Sequence, residues 1–486
     1  MIRDMKATIG ALLPKNVFAR GVGLLVSGTT GAQVLLVLSA PILARLYTPQ
    51  EFGLLAVFVS LVALIDVFSS FRYEQAILLP VDDAEAANVL VLSLLLVVVS
   101  SSLAALLVSM LGAPIAELLG VPSLNSYWWL LPIGIFLSGV YSIFNLWALR
   151  TKRYSTIAGT KILQAIAALA IQLVTFKLGG VGLILGQIAS QSVGTGNLAR
   201  SSNGWSTCKQ VSWSGIKLAA LRYKRFPIFS TWAGLANTAG TQLPAIMFSA
   251  LFTPAAAGLY ALANRVLQLP ISLVGGAIGH VFFANGAQAK REGKLGSLTE
   301  QVHGTLAQIG LPLAFLLMLI GPELFSFVFG ESWRQAGEFA RWMTPWLYLS
   351  FVTSPISKIF FVAERQKDAL IFQLVMLSFR VLAVLLGYWL NDLLITVILF
   401  AGASALCYAG FLFMILHIAG SSVHKIVQPT LKAAAFSVLC NLPVLLTLLM
   451  TDAVSNMWLY GLALSLLLIG GNYYQLLKSS YELRVE

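Results

Sequence analysis

Charge is what this chain has least of. Only 10% of its 486 residues are Asp, Glu, Lys or Arg, against roughly 25% in an ordinary soluble domain. A soluble protein of this length buries a large core, but it could not clothe that core with so few ions. Cysteine is scarce as well. Cys208, Cys407 and Cys440 have neither metal nor redox spacing, which speaks against a disulfide framework and against a metal site. The histidines His280, His303, His417 and His424 are scattered. There is no H-E-x-x-H and no G-x-x-x-x-G-K-[ST], so neither zinc hydrolysis nor ATP hydrolysis within this chain is expected. No loop reaches the roughly 50 residues of a small soluble domain, and no paired carboxylates stand ready for acid–base work. The expectation is a protein that is not an enzyme and needs no cofactor.

What is present is grease. Apolar residues make up 58% of the chain, and the mean hydropathy is +0.85. The solvent such a surface fits is lipid, in which a helical span needs about 20 apolar residues. Long apolar runs recur at about 17–45, 52–79, 87–111, 125–149, 157–177, 181–198, 226–250, 258–284, 302–321, 341–362, 369–390, 393–417, 433–451 and 457–477, giving about 14 spans. The segments of ~10 alternating residues that a transmembrane barrel requires are absent. The expected fold class is an all-α polytopic membrane protein. Connections such as Leu178-Gly179-Gly180 and Asn391-Asp392 are short enough to force antiparallel neighbours.

Lys and Arg are held on the cytoplasmic side of short loops. With the N-terminus inside, most of the 31 basic residues fall on inner segments, among them Arg150, Lys152 and Arg153, Lys290 and Arg291, and the cluster Lys217, Arg222, Lys224 and Arg225. The outer rims keep only Arg45, Lys177, Arg334 and Arg341. Both termini are therefore expected in the cytoplasm. The net charge of +12 is read as topology and contact with anionic lipid, not as a nucleic-acid footprint.

The chain repeats itself. LYTPQEFGLLA (46–56) is echoed by LFTPAAAGLYA (251–261), with Thr48/Thr253, Pro49/Pro254 and Gly53/Gly258 in register. Thr29-Thr30-Gly31-Ala32-Gln33 is echoed by Thr238-Ala239-Gly240-Thr241-Gln242, and ALRTK (148–152) more weakly by AERQK (363–367). Copies that share a direction across the membrane are parallel repeats about an axis along its normal. The organisation expected is an N-terminal lobe of about six helices over 1–198, a basic connector over 199–225, a second such lobe over 226–417, and two further helices with a tail over 418–486, the lobes enclosing a central cavity.

Polar side chains inside spans point to function, because a cation at mid-bilayer costs roughly 2.5–3.5 kcal/mol on insertion scales. Arg380 lies deep in its run, with Gln373 on the same face. Arg265 shares a face with Gln268, and Pro270 interrupts that helix. Lys161, Gln164 and Gln172 form one stripe; Gln187 and Gln191 follow in the next run, and Gln33 and Gln242 are the paired glutamines of the repeat. Lys161 and Arg265 are also placed where a long side chain can snorkel, Arg380 where it can serve a buried structural ion pair, and amides are common glue between membrane helices. Asp66 is the one acid near mid-depth, while Glu74 sits beside Arg72 near the inner edge, where the two can form a structural salt bridge. A cavity lined by these helices would be cationic and suited to an anion such as a diphosphate.

LARLYTPQEFGLLAVFVSLVALIDVFSSFRYEQAILLP (43–80), the stretch 221–270, and IGHVFFANGAQAKREG (278–293) together make the sequence resemble the lipid-linked oligosaccharide flippases of the polysaccharide-exporter family, including the Wzx-type O-antigen flippases. That family belongs to a superfamily with the MATE drug exporters and lipid II flippases. The resemblance spans nearly the whole chain and is diagnostic of family, not of substrate. It implies a bacterial inner-membrane transporter that alternates between inward-open and outward-open states. The implied cargo is a glycan on a polyprenyl diphosphate, undecaprenyl diphosphate, moved to the periplasmic leaflet for O-antigen, capsule or exopolysaccharide synthesis. Implied partners are membrane lipids, the glycosyltransferases that supply the cargo and a polymerase that uses it. The resemblance also implies that Arg265, Arg380 and Lys161 serve the diphosphate and sugar, and that Asp66, Arg72 and Glu74 serve ion coupling or gating. Two readings compete: MATE-like export of a soluble cation, which wants an acidic cavity, and a non-transporting scaffold for polysaccharide assembly, which needs no buried charge.

Overall fold

The computed structural model describes residues 17–201, 211–363, 365–450 and 457–482. Every regular element among them is helical, and the chain divides into two compact units, Met1–Ala261 and Leu262–Glu486. The first holds α1 (Val17–Leu46), α2 (Pro49–Ser69), α3 (Asp83–Leu118), α4 (Leu130–Arg150), α5 (Tyr154–Val174), α6 (Gly180–Ser201), α7 (Trp213–Arg222), α8 (Thr231–Leu251) and the first turns of α9 (Pro254–Leu267). The second holds the rest of α9, then α10 (Gly276–Arg291), α11 (Leu295–Phe329), α12 (Arg334–Ile356), α13 (Gln366–Trp389), α14 (Leu393–Ala419), α15 (Val423–Met450) and α16 (Trp458–Glu482).

Among the described residues, nine helices are long and apolar enough to cross a bilayer. They are α1 to α5, α11, α13, α14 and α15. The other long segments are more polar: α6 carries Gln187 and Gln191, α8 carries Asn237, Thr241 and Gln242, and α12 begins with Arg334, Glu338 and Arg341. The expected runs 87–111 and 302–321 are the middles of far longer helices, of 36 and 35 residues. Hydropathy finds only the part of a helix that fits lipid; the backbone continues until a cap or a glycine stops it. Asp82 caps α3 by accepting from the Ala84 N–H at 3.3 Å, and α11 runs on to Gly330, whose φ is +106°. The interruption expected at Pro270 is present: α9 ends at Leu267, and one wide turn, Ile271–Gly275, separates it from α10.

The repeated Thr-Pro turns are helix starts. Thr48 accepts from the Glu51 N–H, and Glu51 reaches back to the Thr48 N–H at 2.7 Å, with Pro49 in the first turn. This reciprocal cap satisfies two otherwise orphaned donors. The second copy keeps the threonine cap, Thr253 Oγ1 accepting from the Ala256 N–H at 3.1 Å, but has alanine where the first has the acid. The glycines of the motif explain the rest of the repetition. A Cβ on Gly53 would lie 1.7 Å from the Pro254 carbonyl oxygen, and one on Gly258 would lie 1.9 Å from that of Pro49. The two copies pack against each other reciprocally, and only glycine admits backbones that close.

Within the first unit α5 is clasped between α1 and α6, and α2 packs against α4, α6 and α8. Gly182, Gly186, Ser190 and Gly194 space small residues along α6, the pattern that brings membrane helices close. A Cβ on Gly186 would strike Gln172 at 2.4 Å, and one on Gly194 would strike Gln164 at 2.3 Å. Of the connector 199–225, residues 202–210 lie outside the described residues. Its helix α7 is tied to α3: Arg222 Nη1 meets both Glu85 oxygens at 2.8 and 2.9 Å, Tyr223 donates to Glu85 at 2.9 Å, and the Ser212 N–H donates to Asn88 at 3.2 Å.

In the second unit α11 packs on α12 and α15, and α14 on α12 and α13. Gly321 and Gly337 let α11 and α12 cross backbone to backbone: a Cβ on either would lie 2.7 or 2.3 Å from the other's carbonyl oxygen. Phe411 stacks between Phe360 and Phe372 at 5.2 and 4.1 Å. The Asn391-Asp392 turn works because Asn391 adopts a left-handed φ of +55° and Asp392 accepts from the Ile395 N–H at 2.9 Å, the local chemistry that lets these residue types turn and cap. The last two helices hold on by backbone carbonyls of α11. Asn441 donates to Pro312 O at 3.0 Å and Tyr473 to Ile309 O at 2.5 Å.

Candidate functional site

A polar chamber of about 350 Å³ lies in the first unit, walled by α2, α4, α6 and α8. Asp66 and Arg72 line it from the end of α2, Ser138 from α4, Gln187 and Gln191 from α6, and Asn237, Thr238, Thr241 and Gln242 from α8; Val59, Val62, Ala63 and Val67 complete the α2 wall. On α8 these residues lie three and four apart, so one helical face delivers them all.

Ser138 donates to Asp66 Oδ2 at 3.2 Å, while Oδ1 is buried without a hydrogen-bond partner among the described residues. Phe71 and Arg72 both take left-handed φ values, +50° and +63°, which reverse the chain after α2 and turn the arginine back toward the chamber. Arg72 Nη1 stands 3.8 Å from Glu74 Oε1, and buried Glu74 also accepts from the Ser70 hydroxyl. On the other side the guanidinium lies against Gly234 of α8, where a Cβ would come within 2.7 Å. Ser60 donates to Gln242 Oε1 at 3.0 Å and so aims that amide.

Asp66, Arg72 and Gln242 thus share one chamber, with Glu74 attached to it through Arg72. Gln164 is buried and reaches the chamber residue Gln191 at 3.5 Å. Gln172 is buried at the α5–α6 seam, its amide donating to Leu183 O at 3.4 Å. Lys161 lies 5.0 Å over the Tyr141 ring, and Gln33 is half-buried on α1. Neither lines the chamber.

In the second unit Arg380 is 6% exposed. Its Nε donates to Ser404 Oγ at 2.9 Å, and its guanidinium lies 5.0 Å from the Trp346 ring and 5.4 Å from that of Phe400. Desolvated contacts of this kind contribute up to about 2 kcal/mol each. Gln373, two turns earlier on α13, is half-buried, as are Arg265 and Gln268 on α9 and the turn that follows it. Beside the break after α9 lies a small apolar cavity of about 60 Å³, bounded by Leu267, Pro270, Ile309, Leu313, Tyr348 and Phe351 among others. Ser138 and Asn237 in the first unit, and Trp346, Phe400 and Ser404 around Arg380, are residues that sequence reasoning passed over. The polar face of α8 was readable from its spacing; the ring partners of Arg380 come from two other helices, and no local pattern marks them.

Comparison with known proteins follows the same lines. Succinoglycan biosynthesis transport protein ExoT of Rhizobium meliloti (strain 1021) is 26% identical over 333 residues, 65% of this chain; the match spans 63% of that relative's length. The fold is shared with the lipid II flippase MurJ in an inward closed conformation, at TM-score 0.71 and 12% identity over 94% of this chain and 99% of that one. A mutant of the Vibrio cholerae MATE transporter VcmN matches over 84% of this chain and 97% of its own, at TM-score 0.56 and 13% identity. These proteins are transporters and a flippase, and the helical architecture is that of a multi-pass membrane protein. The family model for polysaccharide biosynthesis proteins matches residues 42–338, more than half of the sequence and all of the chamber-lining residues, and the chain belongs to that family.

Proposed function

We propose that this protein is a flippase that carries a polyprenyl-diphosphate-linked oligosaccharide from the cytoplasmic to the periplasmic leaflet of a bacterial inner membrane by alternating access. The product would feed O-antigen, capsule or exopolysaccharide synthesis, between cytoplasmic glycosyltransferases and a periplasmic polymerase. The observation that carries this reading is a chamber of about 350 Å³, walled by amides, hydroxyls, Asp66 and Arg72 among helices of 21 and 22 residues, two of them apolar enough to cross a bilayer. Polar atoms in lipid are expensive and mark the route of a polar passenger. A scaffold has no use for such a chamber. Export of a soluble cation wants an acidic cavity, whereas this wall is made chiefly of amides, hydroxyls and valines and carries Arg72 as well as Asp66. Arg380 and Arg265, on the second unit, are the groups assigned to the diphosphate, because a guanidinium forms parallel charge-assisted bonds to phosphate oxygens.

The test is charge reversal. Arg380→Glu and Arg265→Glu, at parental protein abundance, are expected to abolish surface polysaccharide, with Arg380→Gln and Arg265→Gln retaining part of it. Parental export by both reversed variants overturns the assignment. The topology has its own check: single cysteines in 46–51 and 253–257 should label from outside, and those in 150–154 only after permeabilisation.

A further inference from the structure

We infer that the chamber of the first unit is a neutral-sugar subsite: it holds a monosaccharide ring of the passenger by its hydroxyls and does not hold the diphosphate. This rests on the flippase reading for the identity of the passenger, but the binding chemistry stands by itself.

The charge balance of the wall decides it. Among the described residues, Arg72 is the cation that lines the chamber, and Asp66 lines it too. Arg72 is moreover set 3.8 Å from buried Glu74. Two carboxylates therefore accompany one guanidinium. A diphosphate brought here would meet described residues with no cationic surplus, and a buried anion without compensating charge is strongly disfavoured. A sugar asks for something else. Each hydroxyl both donates and accepts, so it is satisfied by groups that do the same at short range. The wall supplies them: the amides of Gln187, Gln191 and Gln242, the hydroxyl of Thr241, and the carboxylate of Asp66 as a strong acceptor. Two of these are already aimed by neighbours, Gln242 by Ser60 at 3.0 Å and Asp66 by Ser138 at 3.2 Å. The volume, about 350 Å³, is at the low end for small-molecule sites. The apolar α2 wall, Val59, Val62 and Ala63, faces this polar set, as the C–H face of a pyranose requires.

The experiment uses the full chain in lipid nanodiscs with saturation-transfer NMR. The probes are D-glucose, D-galactose and D-mannose, each alone and in competition with inorganic pyrophosphate. At least one hexose is expected to receive saturation. Its affinity should fall about tenfold in Asp66→Asn, the loss of one hydrogen bond to a charged group, and severalfold in Gln242→Ala. Pyrophosphate at equal concentration should leave the signal unchanged. Both variants must match the parent in monodispersity and melting temperature, which separates a lost contact from a lost fold. Displacement of the hexose by pyrophosphate, parental affinity in both variants, or no saturation of any of the three hexoses overturns the inference. Polysaccharide export by a strain lacking the gene is scored alongside. Normal export there defeats the flippase reading while leaving a measured sugar site standing; export that requires the chain, with no hexose bound, defeats the subsite alone.

Discussion

The two units of this molecule handle buried arginine differently. In the first, Arg72 faces a carboxylate, Glu74 at 3.8 Å, and packs on Gly234. In the second, Arg380 lies among the rings of Trp346 and Phe400 and donates to Ser404. A carboxylate attracts a cation through its full charge, whereas a ring quadrupole and a hydroxyl attract it through partial charges. The units are alike where they use glycine. Gly53 and Gly258 meet the partner turn's backbone in the first, and Gly321 and Gly337 meet each other's in the second. Tight crossings serve the frame of either unit; the contacts that hold the buried arginine are where the two differ.

The largest effect should come where the units are alike. Gly53→Val and Gly337→Val each force side-chain atoms into a backbone carbonyl, and each is expected to cost more than about 4 kcal/mol, read as loss of folded protein from the membrane. Gly240→Ala and Gly402→Ala, where a Cβ meets nothing within 4 Å, should leave abundance unchanged. Equal yields from the two sets would remove the glycine seams from the account.

Next comes the divergence itself. Glu74→Leu strips Arg72 of its carboxylate and should destabilise by about 3 kcal/mol, the low end for breaking a buried pair because Arg72 keeps some solvent contact. The double variant Glu74→Leu/Arg72→Met should recover more than half of that in a thermal melt, since removing both charges is far cheaper than removing one. In the second unit, Trp346→Leu should cost about 2 kcal/mol from lost ring contact with Arg380, and Ser404→Ala about 1.5 kcal/mol. If the melts show Glu74→Leu milder than Ser404→Ala, the contrast between an arginine set on a carboxylate and one held by rings and a hydroxyl fails. The smallest effect belongs to the exposed tie of α7: Arg222→Gln should cost less than about 1 kcal/mol and lose even that at high salt, measured as melting temperature against ionic strength.

Much of the frame was legible beforehand because lipid demands long apolar helices, and each run from 17 to 477 has a helix over it. The Arg72–Glu74 pairing was legible too, since the partners are two residues apart. The cage of Arg380 was not: Trp346 and Phe400 lie on α12 and α14, each an unremarked aromatic in an apolar run. The glutamine stripe of α5 shows the opposite failure. Its spacing was correct, but spacing cannot say what a face meets; Gln164 and Gln172 meet the glycines of α6, and only Gln164 touches a chamber residue.

The sequence by itself determined the solvent, the helical fold class, the repeated turn and the family, because each depends on composition or on residues close together along the chain. Only the tertiary structure decided that the two copies of the turn clasp each other, that Asp66, Arg72 and Gln242 share one chamber, and that Arg380 is solvated by rings. Those depend on which helix faces lie opposite one another, and a one-dimensional pattern of apolar and polar residues fixes which face is buried without naming its neighbour.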